Sequence, residues 1–598
     1  MRRSFRWALF FIVAVCLVYD AHDRWKGDWW KATINADGYG YYAYLPCIFV
    51  LHHFDYAKII SEERKLRPEV GYRDAANCFP NTDNGKPVDK YFVGVAVLLS
   101  PFFLLAYLLS YLLGYSLDGY SFLFQISASI AAIFYLVVGL VYIKKLLQEY
   151  SIPEHVISLT AVLIVLGTNL LYYATIEPSL SHIYSFGITA FFLYYIKRSL
   201  SVTNIKNVSL MTASLCMLII IRPTGILTVA LIPFLAGDFA ALKQFFARIF
   251  KFKIILLAIV VAFSVLGIQM IVWFKETGHF IYWSYRGERF YFNNPRFFDI
   301  LFNYRCGWFI YTPLMFLILL TGLIFELKQS LFRFFAFFFF FCALTYLLSS
   351  WYSWYFGGFG MRAYVDYYGA FAVFPALVLN KYRTRVVKVS LFILSLALVF
   401  LNLTQTRQYT NGIIDKGYMD KERYWKVFLK TDSKYVGIFN PHPPQNLSFY
   451  EGYDFENDFE CNTWGNDNSI TEAYARNARH SAYIGGGVNY SPTFKINASQ
   501  LPQKNNLYVY ITLWVYKKDT NNDAALVVSS GTKGDSIISY NSVPLKNCVY
   551  YTNRWQRVEH SLALPSLKNN DDVVKVYAYS KIGATYIDDF KISFASPK

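Results

Sequence analysis

The long apolar runs of this chain are confined to its first two thirds, and this distribution limits the accessible folds more than any other feature. Of the 598 residues, 55% are hydrophobic and 16% are charged, and nearly all of the long apolar runs lie before residue 405. A helix needs roughly 20 apolar residues to cross a bilayer. Residues 406–598 are instead rich in Asn, Asp, Ser, Lys and Tyr. The sequence therefore predicts a polytopic α-helical membrane domain over 1–405, a linker over 406–440 and a soluble domain over 441–598.

The basic residues lie in short segments between the apolar runs. These segments contain Arg2, Arg3 and Arg6; Lys144 and Lys145; Lys197, Arg198 and Lys206; Lys243, Arg248, Lys251 and Lys253; Lys328 and Arg333; and Lys381, Arg383, Arg385 and Lys388. Lys and Arg collect in cytoplasmic loops, so the pattern sets the orientation of the chain in the membrane. It also explains the net charge of +17. Because no basic and aromatic module of a nucleic-acid-binding protein is found, no nucleic-acid partner is expected.

The pattern predicts about 11 crossings, a cytoplasmic N-terminus and a large first outer loop over residues 20–90. The predicted crossings are 7–19, 121–143, 156–174, 182–196, 208–221, 224–237, 254–274, 307–325, 334–350, 364–380 and 389–404. Residues 7–19 fit either a retained first helix or a signal peptide, and the lack of a clear small-residue cleavage site favours the helix.

Residues 91–114 do not fit a simple count of crossings. The segment is apolar and long enough to span, but one crossing there would put Lys144 and Lys145 outside. The charge pattern therefore predicts a re-entrant or interfacial segment, broken near Ser100-Pro101. The alternative is that the two lysines lie on the outer side.

A carboxylate stands in an aromatic, glycine-containing stretch shortly after the first apolar run. The sequence reads Asn-Ala-Asp37-Gly38-Tyr-Gly-Tyr41-Tyr42. Carboxylates near a membrane are costly to bury and usually functional, so Asp37 is the first candidate for a general base. An Asx-turn before Gly38 would explain the same residue. The sequence leaves these two interpretations open, and Tyr41 and Tyr42 are candidates for sugar or acceptor binding.

Other polar residues are predicted to lie on the same outer side. Lys90 suits either a lipid phosphate or an ordinary position at the membrane interface. Arg222 interrupts a long apolar stretch, which is expensive unless the arginine is paired or lines an aqueous cavity, and phosphate binding is its leading role. Glu177 and His182 lie in a short turn between apolar runs, where sugar binding, proton transfer and a plain polar turn are all compatible with them.

Two later outer segments interleave arginine with tyrosine and tryptophan. Arginine forks suit phosphate oxygens and aromatic faces suit sugar C–H surfaces, but a lipid-headgroup belt has the same composition. The glycines of residues 351–366 let the backbone approach a ligand closely. Within that segment, Arg362 and Asp366 are spaced i, i+4 and would pair with each other on an α-helix. The phosphate-binding candidates are Arg286, Arg289, Arg305 and Arg362, and Asp366 is a candidate for sugar or acceptor binding.

The C-terminal region contains short runs of alternating polarity separated by Asn, Asp, Gly and Pro, which predicts a β-sandwich. The predicted strands are 507–516, 524–529, 536–540, 555–564, 573–579 and 585–594. The closing Tyr586-Ile-Asp-Asp-Phe-Lys-Ile resembles the last strand of carbohydrate-binding jelly rolls. A carbohydrate-binding role and a structural or acceptor-docking role stay open. A Cys461–Cys548 disulfide fits an oxidising compartment, but the spacing does not establish it.

Residues 1 to about 400 resemble the membrane-embedded GT-C glycosyltransferases, the superfamily of protein O-mannosyltransferases and aminoarabinose transferases. Asp37, with Tyr41, Tyr42 and Ala43, is similar to the acidic motif of the first loop in that family. Lys86-Pro87 and Lys90 resemble its lysine–proline motif, and the multi-pass layout with a large first outer loop also matches. Two positions depart from the pattern: the second acidic residue is Gly38 here, and the paired prolines are reduced to Pro87.

The resemblance implies an inverting transfer of a sugar from a polyprenyl-phosphate carrier to a glycan, lipid or protein acceptor, on the outer face of the inner membrane. It implies that Asp37 is the base. Together with the charges described above, we expect the donor phosphate to be held by Lys90, Arg222 and one or more of Arg286, Arg289, Arg305 and Arg362. No metal is expected, because no Asp-x-Asp motif or histidine cluster stands at the end of a predicted outer helix. No other cofactor is expected, since the lipid-linked sugar is itself the donor substrate. Two other functions fit the same charges: a transporter or flippase for lipid-linked glycans, and a glycan polymerase or ligase.

Overall fold

In a computed structural model, the chain forms two compact units, Met1–Val436 and Gly437–Lys598. The structure describes residues 3–597 apart from 26–28, 67–77, 83–84, 286–287, 382–384, 417–418, 437–446, 477, 503–506, 520–521, 533–536, 546–547, 550–551, 554, 565–566 and 568. The first unit ends beyond residue 405, because the helix over Arg385–Thr410 and a short helix over Lys421–Val427 both belong to it.

The first unit is α-helical. Its helices are α1 Ser4–Arg24, α2 Gly38–Pro46, α3 Tyr56–Leu66, α4 Gly94–Leu113, α5 Phe122–Gln148, α6 Glu154–Leu166, α7 Leu170–Thr175, α8 Ser181–Ser201, α9 Ile205–Ile221, α10 Ile232–Ala236, α11 Phe239–Ile249, α12 Phe252–Thr277, α13 Phe297–Phe302, α14 Trp308–Tyr311, α15 Pro313–Gln329, α16 Leu331–Ser349, α17 Tyr368–Phe371, α18 Val373–Lys381, α19 Arg385–Thr410 and α20 Lys421–Val427. Two longer 3₁₀ segments, Pro223–Leu231 and Arg362–Tyr367, interrupt this series.

Six of the described helices are long and apolar enough to cross a membrane. They are Ser4–His22, Gly94–Leu113, Phe122–Gln148, Phe252–Thr277, Leu331–Ser349 and Val389–Thr410. Shorter apolar helices, such as Glu154–Leu166 and Ile205–Ile221, pack among them. The prediction of a helical domain with long apolar helices followed by a β domain is thereby confirmed, while the membrane crossings and their number stay a prediction.

Two of the predicted cytoplasmic segments, those around Lys144 and Arg198, contact each other in the helical unit. Lys144 on α5 pairs with Glu154 at the start of α6, with 3.4 Å between nitrogen and oxygen. Arg198 near the end of α8 reaches Glu149 at 3.2 Å. These pairs join helix ends that the sequence assigned to one side of the membrane. The candidate site residues meet at other helix ends, as described below.

Helix α4 is continuous through Pro101, so the predicted break near Ser100-Pro101 is wrong. Proline lacks the N–H that would bond the Val97 carbonyl one turn earlier. The Ser100 hydroxyl donates to that carbonyl at 2.8 Å and fills the vacant position. After the helix, the Gly119 carbonyl accepts a hydrogen bond from Tyr42 of α2 at 2.6 Å. The segment after α4 thus contacts α2.

The second unit is a β-sandwich of two antiparallel sheets. Its strands are β1 Leu447–Asn457, β2 Ile470–Thr471, β3 Ser481–Ile484, β4 Phe494–Asn497, β5 Tyr508–Lys517, β6 Ala525–Gly531, β7 Ile537–Pro544, β8 Trp555–Ala563, β9 Val573–Tyr579 and β10 Thr585–Pro597. The six-stranded sheet has the order β2-β3-β10-β5-β8 with β1 on β10, and the four-stranded sheet has the order β4-β9-β6-β7. The last six strands match the predicted strands to within a few residues.

Alternation along the strands places one side chain in two in the core between the sheets. On β5, the core residues are Val509, Ile511, Leu513 and Val515, whereas Trp514 and Tyr516 lie on the outer face. Cys461 is exposed and Cys548 is half-buried, and both thiols are free, so the disulfide suggested for them is not formed.

Candidate functional site

Asp37 stands at the start of helix α2, where two side chains from distant parts of the chain bind its carboxylate. The Arg362 Nη2 atom lies 2.7 Å from Asp37 Oδ2, and the Tyr91 hydroxyl donates to Oδ1 at 2.6 Å. The Asp37 side chain does not cap α2, which excludes the Asx-type capping role for this carboxylate in the structure. With a side-chain exposure of 30%, Asp37 stays accessible.

The surrounding charges keep Asp37 ionised. Burial alone would raise the pKa of its carboxyl, but the charges of Arg362 and Lys90 and the Tyr91 hydrogen bond outweigh burial and hold that pKa below its ordinary value. Burial would likewise lower the pKa of Lys90, but the nearby carboxylates raise it above its usual range. Both groups are therefore charged at neutral pH.

Lys90 lies next to this pair and has a carboxylate partner of its own. Its Nζ atom is 3.0 Å from Glu288 Oε1, with side-chain exposures of 18% and 11%. The same ammonium lies 4.8 Å from the centroid of the Tyr91 ring, whose hydroxyl binds Asp37. Tyr91 thus links the lysine to the candidate base.

A second buried cluster joins Arg222, His182 and Asp366. His182 Nδ1 lies 2.7 Å from Asp366 Oδ1, and both residues are buried. Arg222 Nη1 is 3.7 Å from Asp366 Oδ2 and 3.4 Å from His182 Nε2. A proton on His182 Nδ1 donates to Asp366, while Arg222 Nη1 lies at similar distances from the two ring nitrogens, 3.2 Å from Nδ1 and 3.4 Å from Nε2. Asp366 and His182 therefore orient the Arg222 guanidinium.

Arg362 and Asp366 do not pair with each other, which corrects the i, i+4 interpretation. Residues Arg362–Tyr367 form a 3₁₀ helix with three residues per turn, so side chains four apart point in different directions. Arg362 turns to Asp37, and Asp366 turns to His182 and Arg222. The turn before Arg362 requires left-handed backbone at Gly358 and Gly360, each with φ +64°.

A cavity of about 160 Å³ lies between the two arginines. Its wall is rich in aromatic and apolar side chains, a composition typical of sites for small ligands. The lining residues include Arg222, Arg362, Trp283, Tyr285, Phe290, Trp351, Trp354 and Met361. Arg362 both lines the cavity and binds Asp37, so the carboxylate adjoins the cavity through that guanidinium.

Gly38, where the sequence departs from the acidic pair of the resembled family, has no space for a side chain. A Cβ atom there would lie 2.1 Å from Ser179 Oγ and 2.6 Å from Ser179 Cβ. Ser179 belongs to the turn that carries Glu177, and the buried Arg24 holds this turn by donating to the Thr175 carbonyl at 3.0 Å. The neighbouring turn therefore fills the volume that a second carboxylate at position 38 would need.

Several predicted site residues lie beside the cavity or away from it. Tyr41 is buried against the Tyr91 ring at 4.5 Å between centroids. Glu177 accepts from the Tyr172 hydroxyl at 2.9 Å and does not line the cavity. Tyr42 is corrected from sugar binding to packing, because its hydroxyl is bound to Gly119 and its ring is buried.

The other arginines predicted to bind phosphate lie in different surroundings. Arg289 is exposed, and its carbonyl accepts from the Tyr352 N–H at 3.0 Å. Arg305 packs on the Tyr355 ring at 4.6 Å. Neither of these residues lines the cavity. Arg286 lies outside the described residues.

Sequence reasoning missed Tyr91 and Glu288 as members of the site. Both stand next to residues that were selected, Tyr91 directly after Lys90 and Glu288 directly before Arg289. A tyrosine next to an apolar run is ordinarily a residue of the membrane interface, so the position of Tyr91 in the sequence did not indicate its hydrogen bond to Asp37. Only the fold brings Glu288 to Lys90.

The outer face of the six-stranded sheet in the second unit carries aromatic side chains. Tyr516 on β5 packs against Trp555 on β8 at 5.7 Å and stacks on Tyr474 at 4.8 Å. Tyr483 and Tyr586 pair on the neighbouring strands at 5.1 Å. The Arg476 guanidinium stacks 3.7 Å over Trp514 and binds Asp589 at 2.6 Å; both contacts lie on or beside this face.

The sequence matches no protein-family model and no curated protein. Among solved structures, arabinosyltransferase EmbB from Mycobacterium smegmatis aligns with 98% of this chain and 64% of its own length, at 12% identity and a TM-score of 0.35. Two xylan-binding domains of Xyn10C from Paenibacillus barcinonensis also align. CBM22-1 covers 26% of this chain and 90% of its own (14% identity, TM-score 0.15), and CBM22-2 covers 24% and 98% (14% identity, TM-score 0.17). Likenesses at these TM-scores do not establish a shared fold.

Proposed function

We propose that this chain is a membrane glycosyltransferase that transfers a sugar from a polyprenyl-phosphate carrier to an acceptor on the outer face of the inner membrane. The observation that carries the proposal is the Asp37 carboxylate, bound by Arg362 at the edge of an aromatic cavity that Arg222 and Arg362 both line. Guanidinium groups bind phosphate oxygens, aromatic walls suit a sugar ring, and an ionised carboxylate can accept a proton.

In this proposal the donor phosphate lies between Arg222 and Arg362, with Lys90 nearby. Asp37 accepts the proton of an acceptor hydroxyl or amine as the acceptor atom attacks the anomeric carbon. The bond from that carbon to the phosphate oxygen breaks, and the phosphate leaves as an anion that the cations stabilise. One displacement inverts the anomer. The acceptor is a glycan, a lipid or a protein.

Donor binding would also adjust the base. A carboxylate whose pKa is held low is a weak base, and an efficient general base has a pKa closer to the working pH. The Arg362 and Lys90 charges lower the pKa of Asp37. A phosphate that neutralises those charges would let this pKa rise, so the base would strengthen when the donor is present.

A transfer assay with the full chain in proteoliposomes tests the proposal. We expect wild-type protein to move labelled sugar from a polyprenyl-phosphate carrier to an acceptor. Carrier movement across the bilayer without any transfer would favour the transporter alternative. Transfer of preassembled glycan blocks that persists without the Asp37 carboxylate would favour a polymerase or ligase.

We also propose that the second unit binds carbohydrate on the outer face of its six-stranded sheet. The supporting observation is the row of aromatic rings there, since such rings offer flat apolar surface with polar edges. In the proposed orientation this unit lies outside the membrane, where envelope glycans or the acceptor are found.

Trp555→Ala should weaken polysaccharide binding about tenfold, because it removes one aromatic surface of the face. Affinity electrophoresis of the full chain in nanodiscs with a panel of glycans measures this change. Tyr540→Ala is the matched control, since Tyr540 is 63% exposed on the other sheet. Equal losses for the two variants, or no change in the Trp555 variant, would contradict the assignment of the face.

A further inference from the structure

Glu288 forms an ion pair with Lys90, although the sequence did not indicate Glu288 as a site residue. The two charged groups lie 3.0 Å apart, and both side chains are mostly buried. An unpaired ammonium at that depth would be costly, so the Glu288 carboxylate compensates the positive charge of Lys90. A bound phosphate would supply the same negative charge.

The segment that carries Glu288 also forms part of the cavity wall. On one side of Glu288, the Ser284 hydroxyl donates to the Lys90 carbonyl at 2.8 Å. On the other side, the Tyr291 N–H donates to the Ser350 carbonyl at 2.6 Å. Tyr285 and Phe290, between these anchors, line the cavity. A displacement of Glu288 would therefore also move residues of the cavity wall.

Three cations around the site each contact one carboxylate in the described part of the chain, and these contacts differ in strength. Asp37 is fixed by both Arg362 and Tyr91, and Asp366 by both His182 and Arg222. The Glu288 carboxylate contacts only the Lys90 ammonium among the described residues, from a stretch outside regular helix or strand. Of the three pairs, this one is the easiest for an incoming anion to exchange.

We propose that Glu288 is a positioning residue that occupies the phosphate-binding position on Lys90 until a phosphate monoester or diester replaces it. The inference rests on the proposed function for the identity of the substrate. Glu288 then holds Lys90 in place when the site is empty and competes with the phosphate for it. A competitor of this kind sets the donor affinity without touching the reacting atoms.

Binding of decaprenyl phosphate and of inorganic phosphate to the full chain in nanodiscs tests the inference. Glu288→Gln should tighten phosphate binding about tenfold, because the competing charge is gone while the side-chain volume is kept. Without added phosphate, this variant should melt at a lower temperature than wild type. Added phosphate should raise the melting temperature of the variant to that of wild type. In the transfer assay, donor KM should fall while kcat does not rise.

Two variants serve as controls. Glu288→Asp retains the charge and should keep phosphate affinity within about twofold of wild type. Glu62→Gln removes one partner of an exposed Lys65–Glu62 pair and should change nothing. Tighter binding of the lipid phosphate alone identifies the carrier lipid as the occupant. Tighter binding of both probes identifies the phosphate group itself.

Unchanged or weaker phosphate affinity in Glu288→Gln would overturn the inference. If wild type also transfers sugar, that result leaves the proposed function intact. Failure of wild type and of Glu288→Gln to bind either phosphate, together with no transfer, would overturn both.

Discussion

Asp37→Asn should reduce sugar transfer about 10³-fold while the protein stays folded. Asparagine keeps the shape of the side chain and one oxygen that accepts from Tyr91 or Arg362. It cannot take a proton from the acceptor, so the attacking atom loses its base. Initial rates with labelled polyprenyl-phosphate sugar, in proteoliposomes at saturating donor, measure the change.

Asp55→Asn is the matched control for this substitution. Asp55 belongs to the same predicted outer loop but is 39% exposed, and it caps α3 by accepting from the Lys58 N–H at 3.0 Å. We expect transfer by this variant to stay near the wild-type rate. Full transfer by Asp37→Asn, with phosphate affinity and melting temperature intact, would remove Asp37 as the base.

The broad architecture could be predicted because it depends on local pattern. Apolar runs identify helices that face lipid, and alternation with turn residues identified the strands Trp555–Ala563 and Val573–Tyr579 almost to the residue. The strand Leu447–Asn457 was missed. Its side chains are mostly exposed, so it lacks the alternation that a half-buried strand shows.

The sequence indicated which residue types meet beside the cavity, but it did not indicate which residues contact each other. Arg362 and Asp37 are 325 positions apart, and nothing in either segment indicates that they meet. The i, i+4 rule failed at Asp366 because the segment is a 3₁₀ helix, which glycine-rich sequence does not distinguish from an α-helix. Tyr41 and Tyr42 are the same residue type in the same motif, so the sequence does not distinguish their roles. The fold shows that the Tyr42 hydroxyl donates to the Gly119 carbonyl.

Gly38→Ala provides the sharpest test of the arrangement around Asp37, because two principles predict opposite signs. Helix propensity favours Ala over Gly by about 1 kcal/mol in a helix such as α2. Packing opposes it, since the added Cβ would lie 2.1 Å from Ser179 Oγ. Overpacking of this kind costs about 1–3 kcal/mol. We expect a net loss of stability, seen as a lower melting temperature.

The activity of Gly38→Ala should fall more than its stability suggests. Position 38 is adjacent to Asp37, and a displacement of about 1 Å in a reacting group can cost about 100-fold in rate. The second-site change Ser179→Gly removes both the hydroxyl and the Cβ atom that collide with the new methyl group. The double variant should therefore recover melting temperature and transfer rate together.

Gly267→Ala is the matched control, because a Cβ atom at this helical position meets nothing within 4 Å. It should leave transfer unchanged and should not lower the melting temperature, as helix propensity alone predicts. If Gly38→Ala behaves like this control, the turn at Ser179 does not occupy the space beside Asp37. A second carboxylate could then be introduced at position 38. If Ser179→Gly restores the variant, that turn is the physical reason why only glycine fits next to the candidate base.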